Sequence, residues 1–295
     1  MFNFKETLQA SVSSAWLVLK LIIPLYILAD LLLYYDVLKT ISFLFEPITD
    51  LLDLPKEAAL GIAAGMLFNL YAAIAFLAPL ELSAYQWTIL ATFLGVAHSL
   101  VVESAVMKKI GISYTYSFVL RISMAFIAVI PIFYMPKELF DAQVAVNESI
   151  AKIIYTDVFE LLQNSFYNAS ILSIKVIILV TVIIFLMSYL KSTKMMQNYQ
   201  KKVNTSFSIM AGLILGITYG VGILIHESKT GNLNRVDLFY IATFLMICHS
   251  VVEDVLLFVI FGANGWIVIT IRLLMASVFS YILVKMYKKF MEKKC

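Results

Sequence analysis

Two short stretches hold most of the side chains in this sequence that could do chemistry. The first is His98-Ser99 followed by Glu103. The second is His249-Ser250 followed by Glu253 and Asp254. The match between them runs without a gap from Ala91 and Ala242 through Gly111 and Gly262, then Arg121 and Arg272, to Met124-Ala125 and Met275-Ala276. The chain has only three His and three Arg, and two of each fall in register, so the segment is a duplication. Imidazole and carboxylate together can bind a polar solute, relay a proton or hold a cation such as Zn, Fe or Mn. His98, Glu103, His249, Glu253 and Asp254 are the candidate metal ligands. The same residues with Ser99, Ser250 and Asn69 form the candidate substrate-binding set. No C-x-x-C or H-E-x-x-H spacing narrows the choice. A coupling cation or a divalent metal is the cofactor class such a set would admit.

Spacing adds detail. His249 and Glu253 are four apart and share one face of a continuous helix. His98 and Glu103 are five apart and diverge by about 140° on an ideal helix, so a bulge or a helix end is needed if both serve one ligand. Arg121 and Arg272 stand early in the next helix of each half. Glu103 is the expected partner of Arg121, and Asp254 or Glu253 that of Arg272, each a structural ion pair. Lys20 and Lys175 lie near the starts of their helices, where a lysine snorkels to the interface. His226-Glu227 reads as interfacial. Tyr71 and Tyr219 read as packing residues beside glycine-rich breaks.

The elements that position these groups are long and apolar. Of 295 residues 62% are hydrophobic and 14% charged, against roughly a quarter charged in a soluble domain. Eight apolar runs stand out: Ala15 to Tyr34, Ala58 to Leu80, Trp87 to Val106, Tyr116 to Met135, Ile171 to Leu190, Phe207 to Ile225, Leu238 to Phe261 and Trp266 to Val284. Each approaches the roughly 20 residues that cross a bilayer as helix. The fold class is therefore an all-α polytopic membrane protein, not a β-barrel, whose short strands would alternate. An ionisable residue in such a run costs at least a few kcal/mol unless paired or wetted. No cleavable leader is evident, and Cys248 and Cys295 are not placed for a disulfide.

The repeats divide the chain into 1–136 and 148–295, joined by a polar linker at 137–147. If all eight runs cross, the basic residues split about evenly between the two sides. If Ala58 to Leu80 and Phe207 to Ile225 instead enter and leave by one face, fourteen basic residues share one side, against Lys39, Lys56, Lys137 and Lys152 on the other. That bias fits the positive-inside tendency. It implies two inverted repeats, each with three spanning helices and one re-entrant or broken segment, and both termini cytoplasmic in the cell membrane. Gly61, Gly65 and Asn69 punctuate the first of these segments; Gly212, Gly216, Gly220 and Gly222 punctuate the second. Inverted halves with broken helices near the midplane are a recurrent transporter plan.

The linker Leu54-Pro55-Lys56-Glu57-Ala58-Ala59-Leu60-Gly61, entering an Ala/Gly-rich segment, and the later helix with His98-Ser99 and Glu103 resemble the nucleoside-recognition (Gate) domain family. That family includes parts of concentrative nucleoside transporters, spore-maturation membrane proteins and the membrane domain of ferrous-iron transporters. The resemblance implies a transport-like fold and does not fix the solute. The leading expectation is a permease for a small polar solute, a nucleoside or a divalent metal ion, working by alternating access. The competing one is a non-transporting membrane subunit or scaffold that docks a partner protein. The expected partners are the bilayer, the solute or ion, and a second copy in a homo-oligomer, with no nucleic acid. Phosphate-binding, Rossmann and nucleophile-elbow motifs are missing, so no enzyme activity is expected.

Overall fold

The computed structural model describes residues 3–35, 37, 46–141, 157–193, 209–210, 212–213 and 234–292, and every described element is helical. The first half contains α1 (Phe4–Tyr34), α2 (Glu46–Leu51), a 3-10 turn (Lys56–Ala58), α3 (Ala59–Leu67), α4 (Leu70–Leu77), α5 (Ala84–Ala97), α6 (Leu100–Lys109) and α7 (Tyr114–Phe133). A short α8 (Glu138–Asp141) follows. Then come α9 (Val158–Ser192), α10 (Arg235–Ile247), α11 (Val251–Val259) and α12 (Gly265–Glu292).

Among the described residues, six helical stretches are long and apolar enough to cross a membrane: Phe4–Tyr34, Ala84–Lys109, Tyr114–Phe133, Val158–Leu190, Arg235–Val259 and Gly265–Lys289. Polar caps mark where they begin. Asn3, Ser83, Ser113, Asp157 and Asn234 each accept a first-turn backbone N–H through the side chain, satisfying donors that the helix itself leaves free. Gly111 (φ +89) and Gly262 (φ +97) end α6 and α11 in the left-handed conformation. The N–H groups of Gly111 and Ile112 donate to Lys108 and Met107. Those of Gly262 and Ala263 donate to Val259 and Phe258. This is the same Schellman closure twice, at repeat-related positions.

Two of the six stretches lie inside the others. The windows in Ala84–Lys109 and Arg235–Val259 are 72% and 78% buried, while no other span exceeds 44%. Trp87 through Ala97 are all buried, as are Ile241 through Ile247, which is the pattern of a helix surrounded on every side. α7 lies along α5 and α6, and α12 along α10. α1 and α9 pack together at the outside. Their exposed faces carry Val12, Trp16, Ile174, Ile178 and Val182, a surface suited to lipid rather than water.

α1 and α9 run antiparallel, and so do the two inner helices. On α1 and α9, Phe4 meets Phe185 with ring centroids 5.7 Å apart, while Ser165 donates to Asp30 at the other end at 2.5 Å. On the inner pair, His98 meets His249 at 5.2 Å. Trp87, early in α5, stacks on Phe261 just past α11 at 4.6 Å. The Asn264 N–H donates to the Thr88 hydroxyl at 2.9 Å.

The run Ala58 to Leu80 does not form one helix. It breaks at Phe68 and Asn69, both of extended or irregular backbone, into the short α3 and α4. The Asn69 side chain caps α4 by accepting the Ala72 N–H at 3.0 Å. The two arms fold back on each other. A Cβ on Gly61 would lie 2.4 Å from Leu77, and one on Gly65 would lie 3.0 Å from the Ala73 Cβ, so the glycines let the arms touch. Each arm is about 13 Å long, near half a hydrocarbon core. The matching run Phe207 to Ile225 lies outside the described residues apart from 209–210 and 212–213, as do Tyr219 and His226-Glu227.

Candidate functional site

The site forms where the two inner helices break. α5 ends at Ala97 and α6 begins at Leu100; α10 ends at Ile247 and α11 begins at Val251. Ser99 (φ 49, ψ 34) and Ser250 (φ 47, ψ 34) adopt the same left-handed backbone, a cost of about 1–2 kcal/mol for a residue with a Cβ. The neighbouring backbone holds each break in place. The Ser99 N–H donates to the Gly65 carbonyl at 2.9 Å, and the Ser99 hydroxyl donates to the Phe68 carbonyl at 2.7 Å. The Ser250 N–H donates to the Gly212 carbonyl at 3.5 Å. The tip of the α3–α4 hairpin thus docks on the first break, and Gly212 makes the matching contact at the second.

A broken helix in lipid leaves carbonyls at one end and N–H groups at the other without partners. The two arginines, both fully buried, meet the carbonyl ends. Arg121 donates to Val96 at 2.8 Å and to His98 at 2.7 Å. Arg272 donates to His249 at 2.8 Å and to Gly95, in the other half, at 2.6 Å. Glu103 and Asp254 stand in the first turns of α6 and α11, where a helix N-terminus favours negative charge.

These groups converge. The Glu103 carboxylate lies 2.9 Å from Arg121 Nη1, 3.2 Å from His98 Nε2 and 3.3 Å from His249 Nε2. Asp254 lies 3.5 Å from Arg272. All six side chains are buried, His249 to 1% exposure and Glu103 to 9%. Each imidazole Nδ1 faces a carbonyl, Leu94 at 2.8 Å and Leu245 at 2.7 Å. A carbonyl only accepts, so each Nδ1 donates and each Nε2 is directed at Glu103. The contacts at Glu103 are close without hydrogen-bond geometry: Glu103 Oε2, Arg121 Nη1 and His249 Nε2 have no hydrogen-bond partner.

The expected conflict between His98 and Glu103 is relieved by a helix end. The expected pairs, Arg121 with Glu103 and Arg272 with Asp254, both form. Glu253 is a correction. The i,i+4 argument required a helix through His249, and α11 starts only at Val251. Asp254 therefore faces the histidines, while Glu253 is exposed and accepts the Tyr71 hydroxyl at 3.3 Å. Asn69 serves as a helix cap, and Ser99 as an anchor for the hairpin. Gly95 and Asp30 escaped the sequence reading, and Gly65 was read only as a break in its segment. Gly95 makes room for Arg272, since a Cβ there would lie 2.9 Å from Nη1. Gly65 offers a carbonyl. Asp30 pairs with Ser165 between α1 and α9, and a lone Asp in an apolar run was the signal available for it.

His98, His249 and Asp254 offer ligand atoms within 4.8 Å of one another, so the donor set resembles that of a metal site. The charges do not fit one. Two guanidinium groups already balance Glu103 and Asp254, so even with the exposed Glu253 counted a divalent ion would leave positive charge uncompensated in a buried place.

The fold and the buried polar centre define a polytopic helical membrane protein. The chain is similar to a protein of Bacillus subtilis (strain 168) named uncharacterized membrane protein YvoD: 27% identical over 300 residues, covering 97% of this chain and 95% of that one. No protein-family profile matches the chain. No solved structure matches it either.

Proposed function

We propose that the protein is a permease for a small polar solute and works by alternating access. One observation carries this reading: the titratable side chains of both halves meet, buried, where two antiparallel broken helices cross. Keeping ionised groups at that depth is costly and calls for a reason beyond packing. Breaks of this kind put backbone and side-chain polar groups where a solute can be held midway across the bilayer.

The antiparallel pairing of α1 with α9 and of the two inner helices supports two inverted repeats, 1–136 and 148–295. The α3–α4 hairpin supports a re-entrant segment in the first. With the lysine distribution, this arrangement supports a cell-membrane protein with both termini in the cytoplasm. The sequence resemblance to the nucleoside-recognition family supports a transport role and leaves the solute open. His98, Glu103, His249 and Asp254 line the transport site, with Ser99 and Ser250 at the breaks. We assign no catalysis.

The six charged and imidazole side chains of the site are buried in this conformation, so a carrier must open it to each face in turn. The test is labelling of Ser250→Cys, in a background with Cys248→Ser and Cys295→Ser, by a membrane-impermeant maleimide applied to one face of a sealed vesicle at a time. Reaction from both faces is expected. Reaction from neither face, in protein that is folded and inserted, would remove the carrier reading and leave a scaffold. A thermal-shift screen against nucleosides and other small polar solutes then identifies the cargo, and His98→Ala and His249→Ala should abolish its uptake without preventing insertion.

A further inference from the structure

We propose that the His98–Glu103–His249 cluster binds one proton beyond those of two neutral imidazoles and an ionised carboxylate, and that this proton is the ion coupled to transport. The second clause rests on the permease reading; the first does not.

The argument starts from donors and acceptors. Both Nδ1 atoms are committed as donors to the Leu94 and Leu245 carbonyls. A neutral ring of that tautomer presents a bare lone pair at Nε2. Both Nε2 atoms face Glu103 oxygens, at 3.2 and 3.3 Å, and an ionised carboxylate has only lone pairs to offer. Acceptor would confront acceptor twice in a buried site, where an unmade hydrogen bond costs most. A proton on one Nε2 lets that ring donate to the carboxylate in a charge-assisted hydrogen bond once the pair realigns. His249 Nε2, buried and unpartnered, is a ring nitrogen open to that proton.

Charge fixes the number at one. The groups facing the cluster are Glu103 on α6, Arg121 on α7, Asp254 on α11 and Arg272 on α12, whose charges cancel. Glu253, on α11 beside Asp254 and bonded to Tyr71 of α4, adds one negative charge. Cys248, at the end of α10, is buried and free. One added proton brings the whole set to neutrality; a second overshoots it in a medium that penalises net charge.

The chain has three histidines, which makes the proton directly observable. Full-length protein carrying 15N-labelled histidine, in lipid nanodiscs at neutral pH, gives three ring signals, and His226→Gln removes the one outside the cluster. The expected spectrum shows both remaining rings protonated at Nδ1 and a single further proton at Nε2, confined to one ring or exchanging between the two. Glu103→Gln should abolish that further proton, because its amide can donate to Nε2. Two neutral rings in the wild type, two fully charged rings, or rings protonated only at Nε2 would each overturn the site. The wild-type spectrum decides even if the variant does not fold.

Coupling is read separately, as the ratio of Ser250→Cys labelling from the two faces against pH. One coupled proton shifts that ratio by up to about tenfold per pH unit, and Glu103→Gln should flatten it. A flat wild-type ratio overturns the coupling while the spectrum still stands. Labelling from neither face overturns the permease reading and leaves the proton site intact.

Discussion

The two helix breaks share a backbone but not their side chains. Ser99 and Ser250 have nearly the same dihedral angles, and His98 and His249 bond the carbonyl four residues back in the same way. The acids differ by one methylene. Glu103 reaches its own histidine, the histidine of the other half and Arg121, while Asp254 stays 3.5 Å from Arg272. The arginines differ in the opposite sense. Arg121 caps carbonyls of its own half, while Arg272 crosses to Gly95. The residue matching Gly95 in the second repeat is Met246, which is fully buried. Met246 carries a side chain where Gly95 has none, and among the described residues the arginine crossing occurs once. At the breaks, Glu103 of the first half reaches His249 and Arg272 of the second reaches Gly95, so the two halves clasp each other there with different groups.

The acids should break this comparison most. Glu103→Ala leaves Arg121 buried without its nearest counter-ion and both imidazole Nε2 atoms without the carboxylate they face. The expected loss is about 3–5 kcal/mol, read as a fall in the unfolding temperature of detergent-purified protein. Asp254→Ala should cost less, about 1–3 kcal/mol, because Asp254 lies 3.5 Å from Arg272 whereas Glu103 lies 2.9 Å from Arg121 and within 3.3 Å of both imidazoles. Equal losses from the two variants would mean that the methylene makes no difference.

Gly95→Ala tests the arginines. Its Cβ would sit 2.9 Å from Arg272 Nη1, and overpacking against a buried side chain costs about 1–3 kcal/mol. The guanidinium should withdraw from the first half. A cysteine pair placed at Trp87 and Phe261, rings that stack at 4.6 Å, should then crosslink more slowly. An unchanged crosslinking rate would show that the halves are held together without Arg272.

Part of this site was legible from residue types alone. Duplicated His-Ser, acid and Arg positions in apolar runs announced a shared polar centre, and the Arg–acid partners followed from proximity along the chain. What could not be read was where the helices stop. Neither break carries Gly or Pro. Each rests on a serine in the left-handed region, held there by contacts from a distant segment, Gly65 and Phe68 for one and Gly212 for the other. Helical periodicity run through such a break selects the wrong acid, which is why Glu253 looked like a partner of His249. Gly95 was invisible for a related reason. Its role is to be absent from a space that a side chain from the other repeat fills.

Tyr71 offers the smallest and most local test. Its hydroxyl joins the α3–α4 hairpin to Glu253 on α11 at 3.3 Å, the one side-chain hydrogen bond between those elements among the described residues. Tyr71→Phe removes that bond and keeps the ring, so the expected loss is about 0.6 kcal/mol, typical of a polar contact between membrane helices. Stability should barely move. The hairpin, however, packs against the break at Ser99 and reaches the other half through this contact. Faster maleimide labelling of a cysteine at Asn69, with an unfolding temperature within a degree or so of the wild type, is the expected result. Unchanged labelling would place the hairpin's hold on Ser99 and its carbonyl partners and leave Tyr71 no part in joining the halves.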